Sequence, residues 1–128
     1  MILADAAQVV GGKLYVLGGA WNAFRANAFP TPATMAFVVS ILVDRAEAAK
    51  DHSFSLTLAD SAGVAVLPPI EGRFQVGKPE GASQDPQRTV LALNSGVLLV
   101  RPGRYTITVV AGSEQSSIFF DALFTGKR

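Results

Sequence analysis

Apolar and polar positions alternate with a period of two along most of this chain, and that period predicts strands. From Met35 onward, Met35, Phe37, Val39, Ile41 and Val43 fall on one face, while Ala36, Val38, Ser40, Leu42 and Asp44 take the other. A strand whose second face is also mostly apolar is expected to be covered on both sides. Phe54, Leu56 and Leu58 alternate with Ser53, Ser55, Thr57 and Ala59, which predicts one buried face and one wetter face. Tyr105, Ile107 and Val109 alternate with Arg104, Thr106 and Thr108 in the same way. Shorter segments at 70–76, 89–94 and 115–120 repeat the theme.

The punctuation between these segments has its own chemistry. Gly11-Gly12 between Val10 and Lys13 suits a two-residue hairpin turn, so 2–10 and 13–24 are expected to pair antiparallel. Asp60-Ser61-Ala62-Gly63 is a turn in which the aspartate accepts from backbone N–H groups. Arg101-Pro102-Gly103-Arg104 suits a type II turn. Pro68-Pro69 cannot donate to a ladder and marks a strand boundary. Asp44 and Glu47 have capping-box spacing ahead of good helix formers, which predicts one short crossover helix near 45–50. Gly77, Pro79, Gly81 and Pro86 break up 77–88, which is expected to be a long exposed loop. Seven to nine short strands with regular turns indicate an all-β chain, an antiparallel, Ig-like β-sandwich forming a single domain over 1–128. A partly closed barrel leaves the same trace.

Composition narrows the function. The chain has 128 residues and no cysteine, which excludes disulfides, zinc–thiolate sites and thiol nucleophiles. Its 11 basic and 10 acidic residues leave a net charge of +1, so there is no bulk attraction for a polyanion. The basic residues form no run beyond Lys127-Arg128, and no aromatic–basic stripe suggests nucleic-acid binding. The N-terminus lacks a basic region before its apolar residues and meets Asp5 early, unlike a signal peptide. The uncharged stretch 26–43 carries Pro30 and Pro32, and its solidly apolar part is too short for a membrane span. A cytoplasmic protein is expected.

Catalytic constellations are sparse. Asp51-His52-Ser53 contains triad residue types, but three consecutive residues cannot point at one another. His52 is expected to face solvent at the start of a strand. Asp5, Asp44, Asp51, Asp60 and Asp121 are scattered and match no metal motif, while capping accounts for Asp44 and Glu47. Gly18-Gly19 has no P-loop context and suggests a β-bulge. No cofactor is called for, and an enzyme built on Asp5, Asp44 and Asp121 has little support.

Two aromatic segments carry more weight. Ile118, Phe119, Phe120, Leu123 and Phe124 put apolar residues on both faces of the last strand, and they are the candidate interface. Trp21, Asn22, Phe24 and Arg25 combine aromatic faces with an amide and a guanidinium, and they form an alternative pocket for a sugar or small anion. Only 16% of the residues are charged, where about 25% is usual, so part of the apolar surface is expected to meet another chain. The expected role is a non-catalytic, self-associating protein or a small subunit of a larger assembly.

The opening Leu3-Ala4-Asp5-Ala6-Ala7, followed by Gly12-Lys13-Leu14-Tyr15-Val16-Leu17-Gly18-Gly19-Ala20-Trp21, resembles an uncharacterised bacterial family of small domains. Leu67-Pro68-Pro69-Ile70-Glu71-Gly72 and Arg101-Pro102-Gly103-Arg104-Tyr105 are similar to its other recurrent stretches. The likeness runs from Leu3 to about Val110. It implies a stand-alone β-sandwich with no assigned activity, and no catalytic residues carry over.

Overall fold

A computed structural model describes residues 1–77, 81 and 86–126. Among the described residues there are nine strands: β1 (Ile2–Val10), β2 (Lys13–Gly19), β3 (Ala23–Ala26), β4 (Thr31–Val43), β5 (Asp51–Ala59), β6 (Ile70–Gln75), β7 (Gln87–Leu99), β8 (Gly103–Ala111) and β9 (Glu114–Phe124). They form two sheets, a four-stranded one in the order β2-β1-β4-β7 and a five-stranded one in the order β3-β9-β8-β5-β6. The chain is all-β. The inner faces share one core, in which Leu3, Met35, Phe37 and Leu99 of the first sheet meet Leu56, Tyr105, Ile107 and Phe120 of the second. Burying such side chains is worth roughly 1.5–3 kcal/mol each against leaving them in water.

The long pairing of β4 with β7, from Thr31↔Leu99 to Val43↔Gln87, is the spine of the first sheet. β4 begins four residues before the alternating pattern predicts. Pro32 is admitted because β1 pairs only with Ala36–Val38, so β4 has one neighbour at its proline end.

The outer face of β4 has its own cover. β1 pairs with β4 through Ile2, Leu3 and Ala4, and beyond them its Ala7 reaches the outer face of β7. There the Asn94 side chain accepts from the Ala7 N–H at 3.2 Å and donates to the Ala7 carbonyl at 2.8 Å, replacing a ladder rung. Ala4, Ala7, Ala36 and Val38 are buried in this second cluster, with Leu14 and Val16 of β2 packed against it. The two-sided burial expected for Ala36 and Val38 is present, and the β1–β2 hairpin supplies it.

Local turn chemistry acts as its residues dictate. Gly11 and Gly12 hold φ of 59° and 75°, the double positive a tight hairpin turn needs, and Val10 pairs with Lys13. Asp60 Oδ1 accepts from the N–H groups of Ala62 and Val64, both at 2.9 Å. The expected bulge at Gly18-Gly19 is absent from the register: Ala4↔Gly19 and Ala6↔Leu17 keep step. Gly18 instead sits at φ 59° against the Asp5 carboxylate, and a Cβ there would collide with it.

Three expectations need correction. The crossover helix near 45–50 is a single 3-10 turn over Arg45–Glu47, and Asp44 makes no side-chain cap bond. Its extension is stopped by Ala49, which takes a φ of 63° and donates to the Val76 carbonyl at 2.6 Å. The second hairpin arm ends at Gly19, after which the chain crosses to the other sheet. There β3 runs parallel to β9, from Ala23↔Asp121 to Ala26↔Phe124, so the sheets are not wholly antiparallel. Within the 77–88 loop, Gln87 and Arg88 belong to β7, and 78–80 and 82–85 lie outside the described residues.

Candidate binding surface

The last strand divides the expected interface. Inward-pointing Phe120 is fully buried, stacked on Tyr105 at 5.3 Å between ring centroids and met edge-on by Trp21 at 5.7 Å. Ile118 is half-buried against the same core. Neither offers its side chain to a partner, because the strand period turns both towards the other sheet. Phe119, Leu123 and Phe124 remain exposed at 40–43%. The Arg104 guanidinium lies 3.8 Å from the Phe119 ring centroid, so one ring face is already occupied by a cation.

Arg104 also donates to Asp121, from Nε to Oδ1 at 2.9 Å and from Nη2 to Oδ2 at 3.3 Å. This two-point hydrogen bond, with the guanidinium charge beside it, holds the Asp121 carboxyl below the ordinary carboxylate range. The folded protein therefore releases this proton more readily than the unfolded chain. The associated stability is present above the ordinary carboxylate pKa and is lost as pH falls through the lower folded value. In an NMR acid titration, the Asp121 carboxyl carbon of the wild type is expected to titrate at lower pH than the same carbon in Arg104→Ala.

The alternative pocket is not assembled. Trp21 and Phe24 pack onto the inter-sheet core, whereas Asn22 and Arg25 are exposed. The two rings thus lie against the core while the amide and the guanidinium stay in solvent. Trp21 Nε1 is buried without a hydrogen-bond partner among the described residues.

The scattered carboxylates also stay apart. Asp5 stands beside Gly18, Asp121 is held by Arg104, and Asp44 lines a cleft at one end of the sheets. This cleft of about 750 Å³ has Val39, Val43 and Val109 on its floor and Glu47, Arg88 and Glu114 at its rim. His52 borders it too, which corrects the solvent-facing expectation: the ring is half-buried, stacks on Phe74 at 5.2 Å and donates from Nε2 to the Glu47 carbonyl at 2.8 Å. Ring and carbonyl together seat the 3-10 turn on β5 and β6. Among the described residues, no group of three or more His, Asp or Glu is placed to hold a metal.

The face that sequence reasoning missed is on the β1–β2 hairpin. The pairs Ala6↔Leu17, Gln8↔Tyr15 and Val10↔Lys13 point away from the second cluster, whose cover comes from Leu14 and Val16. Leu17 is 73% exposed, Tyr15 54% and Val10 52%. The alternation Leu14, Val16 against Tyr15, Leu17 was legible, but both halves of it are apolar. Nothing local says which half is covered.

The profile of a family of unknown function, DUF6941, matches residues 1–119. The chain belongs to DUF6941. The match takes in the hairpin, all of the second cluster, the inter-sheet core except Phe120 and Ala122, and β9 as far as Phe119, and so includes every side chain that builds the exposed hairpin face. No curated protein matches this DUF6941 chain. No helix among its described residues is long and apolar enough to cross a membrane.

Proposed function

We propose that this DUF6941 protein is a cytoplasmic, non-catalytic binding protein that associates with itself or serves as a small subunit of an assembly. The observation that carries the reading is the apolar outer face of the β1–β2 hairpin, where Tyr15 and Leu17 stand side by side in solvent. Composition supports it. With only 16% charged residues to cover its surface, desolvating part of the outer face against another chain is favourable.

We also read the fold as an Ig-like sandwich carrying an extra hairpin layer. Its support is the shared inter-sheet core and the Tyr105 hydroxyl, which donates to the Arg101 carbonyl at 2.6 Å. A tyrosine near a strand start, bonded to backbone a few residues upstream, is the corner found in that architecture.

Light scattering tests the function. At about 100 µM, well above a micromolar dissociation constant, the mass is expected at a multiple of 13.4 kDa. A mass of one chain at that concentration removes self-association.

A further inference from the structure

We infer that the contact is a two-fold pairing of β2 with β2 of a second copy, centred on Val16. The inference rests on the self-association proposed above and specifies where and how it occurs.

Sheet edges are the natural places for such contact, because their outer backbone groups have no ladder partner. The four end strands differ in how they are protected. β3 has only four residues. β6 carries Glu71 and Arg73 within six residues. β7 carries Arg88, and its middle is engaged by the hairpin through Asn94. β2 is seven residues long, bears a single charge at its turn end and carries Leu17, the most exposed large apolar residue described. Beyond Lys13 it has no proline, no bulge and no charge to discourage an added strand.

The occupant follows from the order of residues in β2. In an antiparallel pairing centred on Val16, Tyr15 of each copy falls opposite Leu17 of the other. Paired residues project to the same face of a sheet, so two tyrosines and two leucines form one cluster. The same register sets Lys13 opposite Gly19, which keeps the two lysines at opposite ends of the contact and brings each beside a residue without a side chain. Shifting the centre to Tyr15 would set Lys13 against Leu17. A second copy supplies this match from its own β2, and a two-fold axis repeats each contact.

Charge exchange tests the register. Tyr15→Lys and Leu17→Glu are made singly and together, with thermal melting used to verify that each variant keeps its fold. Both sites are exposed, so the melts are expected to stay close to wild type. Sedimentation equilibrium then reads the dimer dissociation constant. Each single variant is expected to weaken it by about tenfold or more, because a charge is pressed against an apolar side chain. The double variant is expected to recover most of that loss, because each new cation then faces a new anion across the axis. A double variant weaker than either single one overturns the register. Single variants that dimerise as tightly as wild type overturn the β2 contact while leaving self-association standing. A wild-type chain that never dimerises removes both.

Discussion

Phe120→Ala is expected to lower unfolding stability by about 3–5 kcal/mol, the range for truncating a buried phenylalanine. Typical domains hold only about 5–15 kcal/mol in total, so this one change removes a large share. Phe120 is inaccessible to solvent, lies flat on Tyr105 and is capped edge-on by Trp21, so the void would open where three rings meet. Its neighbour Phe119 provides the internal comparison. That ring stands on the outer face under the Arg104 guanidinium, and Phe119→Ala is expected to cost within about 1 kcal/mol. Urea titrations of the two variants make the measurement. Equal midpoints would contradict the inward placement of Phe120.

Val38→Asp is the second large effect, and it tests the hairpin layer. Val38 is buried on the outer face of β4, beneath Ala4, Ala7, Leu14 and Val16. A carboxylate there finds no cation in the cluster, so a loss of about 3 kcal/mol or more is expected at neutral pH. Burial would raise the pKa of the new acid in the folded state. The deficit is therefore expected to shrink as pH falls towards the ordinary carboxylate range, where the neutral acid is the folded form. Ser40→Asp, two residues along the same face but exposed, is expected to change little. Chemical denaturation at pH 7 and pH 4 reads both variants, and hydrogen exchange shows whether the β1–β2 amides open first. Slow exchange in the hairpin at full Val38→Asp destabilisation would mean that the layer is held by something other than this cluster.

Much of the fold was legible because its determinants are local. Alternation named the buried set in β5 and β8, where Leu56, Leu58, Tyr105 and Ile107 are in the core. The glycine pair at the first turn, the Asp60 turn and the proline boundary before Ile70 all act within a few residues of themselves. The apolar double face of β4 announced two covers, although not their identity. The short helix failed for a non-local reason: Ala49 is tied to Val76 across the sheet edge, which overrides the helix preference of Arg45–Lys50. β3 failed similarly, since nothing near Ala23 signals that its partner lies at Asp121–Phe124.

The candidate site was less legible than the fold. Ile118 and Phe120 look as exposed as Phe119 in the sequence, but Trp21 and Tyr105 close over Phe120 only after the chain has folded. His52 joins Phe74 and the Glu47 carbonyl from three separate elements. Family membership rests on the linear order of residues, which is why the resemblance was visible before any fold was described.

By itself, the order of amino acids determined the strand period, the positions of the tight turns and the absence of thiol chemistry, since each depends on side-chain type within a span of a few residues. Tertiary structure alone decided that β1 stops pairing with β4 after Ala4, that Asn94 completes the backbone of Ala7, and that Tyr15 and Leu17 rather than Leu14 and Val16 face water. A strand with two apolar faces carries no local preference for which is buried. That choice is made by the surface it lands on, and here the surface is supplied by Ala36 and Val38 of β4 with Ala92 of β7.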